Sequence, residues 1–200
     1  MHERSGDDQI TGPTIVNPAN PYGDYSYCSS DRRHVVNFSV VARTPQFSNR
    51  MAHYILSDWQ VSPLVRWQSG NRSTVTTGVD NALTGVGGQR AVQVLDDPYG
   101  DGTPGNYLNR AAFTSPASGT YSSLLPFTIV NPSTLQNDLG ITRVFPLSGT
   151  QNLQFRWEIF NVFNKVNFNA PVTSLNSASF GQIQSAGDPR IMQFALKFNF

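Results

Sequence analysis

The 200 residues carry 14 Lys and Arg against 13 Asp and Glu, a formal net charge of +1, so no bulk field recruits nucleic acid or an acidic surface. Charged residues make up only 14% of the chain, against roughly 25% in an ordinary soluble domain, while 16 Gly and 13 Pro argue for many turns and against long helices. The sole cysteine, Cys28, excludes an internal disulfide, and no run approaches the roughly 18 apolar residues of a membrane helix.

Residues 1–30 are polar, rich in Gly, Pro, Asn and Ser, and read as a loop region. The opening Met1–Asp8 lacks the apolar core of a signal peptide. Extended structure is predicted from about Arg32, with His34, Val36, Phe38, Val40 and Ala42 on one face and Pro45 as its stop. The next strand is predicted over Ile55–Gln68. Ile55, Ser57, Trp59, Val61, Pro63, Val65 and Trp67 share one parity there, and Pro63 sits awkwardly because it removes a ladder donor. A long loop dense in Gly, Pro, Asn, Asp and Thr follows over about 69–137, with short extended pieces at Ser73–Thr77 and Ala91–Leu95.

The last third alternates most cleanly. Leu139–Phe145 reads as a strand, Pro146–Thr150 as a tight connection, and Asn152–Phe163 as the next strand. Its Leu153, Phe155, Trp157 and Ile159 oppose Asn152, Gln154, Arg156 and Glu158. After a polar loop at Asn164–Gly187, Met192, Phe194, Leu196, Phe198 and Phe200 oppose Ile191, Gln193, Ala195, Lys197 and Asn199.

Period two alone fits any half-buried antiparallel sheet. Three features favour a membrane barrel: long strands, polar faces poor in charge, and a rhythm of connections that are short after Arg43, long after Gln68, short after Phe145 and long after Asn164. The fold class these features support is all-β, strands of a transmembrane antiparallel β-barrel with long outer loops. On that reading Trp59, Trp67, Phe155, Trp157, Phe194 and Phe198 face lipid, while Gln154, Arg156, Glu158 and Lys197 form a network facing the lumen. Five strands cannot close a barrel, and an open edge in lipid leaves backbone groups unpaired, so the chain is expected to be part of something larger. The alternative is a secreted β-sandwich, a carbohydrate-binding or adhesion module in which the same aromatics form a protein core. A passive porin would share the barrel without a plug.

The closing phrases Phe180-Gly181-Gln182-Ile183 and Gly187-Asp188-Pro189-Arg190 through Phe200 resemble the end of TonB-dependent outer-membrane receptors, closest to the Oar-like group. Leu153-Gln154-Phe155-Arg156-Trp157-Glu158-Ile159-Phe160-Asn161-Val162-Phe163-Asn164, continuing to Asn167-Phe168, resembles their penultimate strand. Asp31-Arg32-Arg33-His34, Asp58-Trp59-Gln60-Val61 and Gln68-Ser69-Gly70 match recurring phrases of that family. The likeness covers residues 31–200, loosely over the long loop, and marks these as the C-terminal strands of the barrel. It implies import of an unknown ligand into the periplasm and location in the outer membrane, with lipid around the barrel. It also implies insertion by the barrel-assembly machinery, with Phe200 as part of the signal read, and coupling to the TonB complex through N-terminal parts that this sequence lacks.

No residues call for catalysis, a metal or a cofactor. His2, His34 and His53 are dispersed, and Asp96, Asp97 and Asp101 depart from calcium-loop spacing. Gly85–Gly88 follows no convincing strand, and no Gly-x-Ser-x-Gly elbow occurs. Arg156 and Glu158, two apart on one strand face, are expected to pair with each other.

Overall fold

The computed structural model describes residues 3–4, 17 and 19–200. His2 and most of the predicted N-terminal loop lie outside the described residues. The chain divides into two compact units, His34–Gln68 with Thr134–Asn167 and Asp188–Phe200, and Met1–Arg33 with Ser69–Ser133 and Phe168–Gly187.

The first unit is a six-stranded sheet. Its strands are β1 (Val35–Ser39), β2 (Ala42–Arg43), β3 (Trp59–Gln68), β4 (Thr134–Pro146), β5 (Asn152–Phe160) and β6 (Ile191–Asn199). The order is β6-β5-β4-β3-β1, with β2 also on β3, and every pairing is antiparallel. Neighbours in the chain are thus neighbours in the sheet, which makes a meander. Among the described residues β1 and β6 do not pair, so the sheet is open and no closed barrel forms.

Four strand limits differ from the sequence reading. Residues Arg50–Leu56 form a helix, α1, so the predicted strand from Ile55 begins instead at Trp59. Asn49 caps that helix, its side chain accepting from the backbone N–H groups of Met51 and Ala52, and Arg-Met-Ala-His-Tyr-Ile-Leu contains good helix formers. Strand β4 starts at Thr134 rather than Leu139, because Asn137, Asp138 and Gly140 conceal its first turn of alternation. Strand β5 ends at Phe160 rather than Phe163, where Asn161 takes a positive φ of 53°. The first predicted strand starts at Val35, and it is split between Ser39 and Ala42.

Pro63 explains the split. Val40 N–H donates to the Pro63 carbonyl at 3.2 Å, so that pair should exchange two bonds, and proline has no hydrogen to return. On its other side Pro63 faces Leu139, a position that needs no donor from it. The ladder between β3 and β4 therefore runs unbroken through the proline.

Among the described residues, the second unit contains no long strand. Arg72–Ser73 pairs with Ile129–Val130, and Val92–Gln93 with Phe113–Thr114. These short ribbons surround a core of Val75, Ala91, Leu108, Ala112, Phe113, Ile129, Leu175 and Phe180. The Phe180-Gly181 phrase has a local purpose. Phe180 meets Phe113 edge to face at 5.8 Å, and the Gly181 carbonyl accepts from the N–H groups of Tyr107 and Leu108. Gly181 has φ 79°, and an added Cβ would lie 2.3 Å from the Leu108 carbonyl oxygen, so only glycine fits. Beneath this lies an ion pair between the buried side chains of Asp24 and Arg90.

Burial, with Tyr99 beside it, pushes the Tyr107 hydroxyl up to about 12 from an ordinary value of 10.0. A raised value means that the folded unit favours the neutral phenol. Its contribution is complete below pH 10 and is lost as pH rises towards 12. Alkaline titration should therefore loosen this unit in that window, and Tyr107→Phe should remove the part due to this group. Phenolate absorbance followed beside protease sensitivity checks it; an unchanged profile in the variant would count against it.

Candidate functional site

Register across the sheet sorts side chains into two faces. Val36, Phe38 and Ala42 share a face with Trp59, Val61, Pro63, Val65 and Trp67 of β3. Leu135, Leu139, Ile141 and Phe145 of β4 follow, then Leu153, Phe155, Trp157 and Ile159, then Met192, Phe194, Leu196 and Phe198. Only Asn137 and Arg143 interrupt it. All six aromatics singled out in the sequence (Trp59, Trp67, Phe155, Trp157, Phe194 and Phe198) lie on this face. Trp157 stacks on Phe194 at 5.3 Å, and Trp59 meets Phe155 edge to face at 6.1 Å. At the opposite end His34 stacks on Trp67.

The other face is mostly polar, with Val35, Leu64, Val144, Phe160 and Ile191 among its amides, hydroxyls and charges. Gln154 lies opposite Lys197, and Glu158 opposite Gln193. Arg156 Nη2 reaches Glu158 Oε1 at 2.6 Å, and the Gln193 amide donates to the second carboxylate oxygen. Arg156 remains 58% exposed on its side chain, so one edge of the guanidinium is open to a solute. A concavity of about 960 Å³ covers this face, lined in part by Arg43, Gln60, Ser62, Thr142, Gln154 and Arg156. A second, of about 530 Å³, lies towards the loop end beside Arg66, Gln68, Gln136, Asp138 and Asn161. Amides, hydroxyls and a compensated ion pair suit transient hydrogen bonding to a polar solute.

Two features at the sheet ends escaped the sequence reading. Arg143 is a buried cation on the apolar face. Its guanidinium donates to the Ile55 carbonyl at 3.0 Å and the Tyr54 carbonyl at 2.6 Å, at the C-terminal end of α1, and it lies near the Trp59 and Phe145 rings. Its negatively polarised helix end and aromatic faces offset the cost of burying the charge. The signal was present as one charge inside the apolar parity of Leu139, Ile141 and Phe145.

At the loop end, asparagines extend the sheet where β5 stops. Asn167 exchanges two hydrogen bonds with the Leu135 backbone, accepting at 2.8 Å and donating at 3.0 Å, as a strand residue would. Asn137 accepts from Phe163 N–H, and Asp138 from Asn161 N–H. Asn161 in turn donates to the Lys165 and Asp188 carbonyls, and Asn164 accepts from Arg190 N–H. The Asn-Val-Phe-Asn phrase and the Asp-Pro-Arg phrase are therefore two halves of one clamp.

Among the described residues, no three His, Cys, Asp or Glu side chains converge as a metal set. Asp97 accepts from Tyr99 N–H and Asp101 from Thr103, as turn formers do. Asp80 accepts from the N–H groups of Thr84 and Gly85, which organises the Gly-rich segment from within. Phe200 is exposed and stacks on Phe198 at 6.1 Å.

A family model described as an outer membrane beta barrel domain matches residues 1–193. No curated protein and no solved structure matches the chain.

Proposed function

Because the chain belongs to the outer membrane beta barrel domain family, we propose that it supplies the C-terminal strands of a TonB-dependent, Oar-like receptor that imports a ligand into the periplasm. It is an outer-membrane protein, and domains of this family are structural or transport modules rather than catalysts. The observation that carries the finer reading is the two-faced meander, with connections at one end (44–58, which holds α1, and 147–151) shorter than those at the other (69–133 and 161–190). On β4 the apolar parity runs ten steps from Leu135 to Phe145. That is about 34 Å of strand, or about 26 Å along the membrane normal at a tilt of about 40°, close to the roughly 25 Å apolar band of such barrels.

In this reading Trp59, Trp67, Phe155, Trp157, Phe194 and Phe198 contact lipid. Gln154, Arg156, Glu158 and Lys197 line the wet interior, where Arg156 can exchange partners with a passing solute. The end of the sheet bearing Pro146–Asn152 faces the periplasm, and the opposite end, where Gln68 pairs with Thr134, faces outward. Phe200 continues the apolar parity at the chain end and serves recognition by the barrel-assembly machinery. Energy for import would come from the TonB complex.

The test uses cells producing the full-length gene product and a panel of radiolabelled metal chelates and oligosaccharides. Uptake of at least one compound should be abolished by a protonophore and by loss of TonB. Uptake insensitive to both identifies a passive porin and overturns the importer reading. Deleting Phe200 should lower outer-membrane abundance while uptake per inserted receptor stays unchanged; normal abundance with weakened uptake would remove Phe200 from assembly. Recovery of the wild-type product as a detergent-free soluble protein would favour the β-sandwich.

A further inference from the structure

Helix α1 has no buried residue. Met51 is 71% exposed, Tyr54 65%, Ile55 57% and Leu56 51%, and the preceding Phe47 is exposed as well. Seven residues are too few for a stable isolated helix, which needs about 12–15 in water, so its own hydrogen bonds do not account for it. Side chains fix it at both ends. Asn49 caps the start. At the finish, the Arg143 guanidinium and the Trp59 indole N–H both donate to the Ile55 carbonyl, at 3.0 Å and 2.7 Å.

Those two anchoring residues decide where the helix lies. Arg143 and Trp59 are register partners on the apolar face of the sheet. Arg143 also reaches the rim of the polar concavity, but no residue of α1 lines it, so the helix is held on the apolar side, at the end of the sheet where Pro146 and Asn152 pair. Met51 and Ile55, four residues apart, form one apolar stripe, and Leu56 lies off it, about 100° round the helix from Ile55. Arg50 and Tyr54 flank it with a cation and an amphipathic ring. Trp59 meets Phe155 on the sheet and donates to the Ile55 carbonyl, so the helix adjoins the apolar face, with the buried Arg143 as the one charge between them.

We infer that α1 is an interfacial lipid-binding helix, seated at the boundary between headgroups and acyl chains of the phospholipid leaflet at the turn end of the sheet. Met51 and Ile55 enter the acyl region, Tyr54 and Trp59 sit at headgroup level, and Arg50 reaches lipid phosphate. The occupant is phospholipid because the helix continues the face read above as lipid-facing, on which the inference rests. Its side chains also pair apolar bulk with a cation for an anionic headgroup. Arg143, otherwise an anomaly on that face, becomes the latch that holds the helix down at the interface.

The experiment uses the full-length gene product with Cys28→Ser, refolded into vesicles of phosphatidylethanolamine and phosphatidylglycerol. Single cysteines replace Met51, Ile55, Phe194 or Gln193 and carry an environment-sensitive fluorophore. Quenching is read with spin-labelled lipid and with aqueous iodide. The expected result is several-fold weaker iodide quenching at Met51, Ile55 and Phe194 than at Gln193, with lipid quenching in the reverse order. Strong iodide quenching at both Met51 and Ile55 while Phe194 stays lipid-quenched overturns the helix inference and leaves the barrel reading standing. Strong iodide quenching at Phe194 overturns the barrel reading, whatever the helix does. Two helix positions are read independently, so one poorly folded variant does not decide the outcome.

Discussion

Replacing Asp24 with alanine is expected to cost the loop-built unit about 3–5 kcal/mol, because it strands the Arg90 guanidinium in a buried site. The Asp24 and Arg90 side chains are 3% and 9% exposed, and Arg90 also donates to the Gly23 carbonyl at 3.4 Å. The carbonyl cannot replace a carboxylate. Removing both charges with Asp24→Ala and Arg90→Met should recover much of the loss, since a neutral pair has no ion to desolvate. All three tryptophans lie outside this unit, so limited proteolysis is the better readout than fluorescence. Cleavage within Ser69–Ser133 should accelerate by about two to three powers of ten in the single variant. A single variant as protected as wild type, or a double variant worse than the single, would contradict the argument.

Phe194→Arg is expected to destabilise the lipid-inserted protein by about 2–4 kcal/mol, the cost of a cation near the middle of the apolar band. Phe194 pairs with Trp157, which pairs with Ile141, next to the centre of the Leu135–Phe145 span. Leu196 pairs with Phe155 and through it with Arg143, one row nearer the turn end, so Leu196→Arg should cost less. Phe198→Arg, another row on, should cost about 0–1 kcal/mol because arginine there can reach the interface. Gln193→Arg points to the polar face and should change little. Denaturant midpoints in vesicles, followed by the tryptophans, measure all four. Equal sensitivity at 193 and 194, or no gradient from 194 to 198, would defeat the lipid assignment.

The faces of the sheet were legible in the sequence because a strand's alternation is written in adjacent residues. Leu153 to Ile159 and Met192 to Phe198 needed no partner to be recognised, and the register then aligned them as expected. Helix α1 was misread because Ile55 and Ser57 happen to match the parity of Trp59, while the informative residue, Asn49, lies upstream. The first residues of β4 were hidden because Asn137 occupies an apolar position to hold Phe163 N–H. The core of the other unit was illegible for a different reason. Val75, Ala91, Leu108, Ile129 and Leu175 are isolated apolar residues in polar surroundings, brought together by contacts distant in sequence. Periodicity carries no information about such contacts. Likewise, Arg156 with Glu158 could be paired on spacing, whereas Gln193 joins them only through the register of β5 and β6.

The asparagine clamp insulates the meander's register from the excursion over Phe168 to Gly187, whose own constraint is the core it shares through Leu175, Phe180 and Gly181. Asn161 holding Asp188 and Asn164 holding Arg190 fasten both sides of its neck, and Asn167 fastens the outgoing strand to Leu135. With its ends fixed, changing the length of the excursion alters closure entropy only logarithmically, about 0.6 kcal/mol per doubling. A lineage can therefore rewrite what this segment presents to its surroundings while the meander beneath keeps its register. Diversification then falls on the exposed positions of the excursion, with Leu175, Phe180 and Gly181 held by the core and the seven positions from Asn161 to Asn167 guarding the sheet.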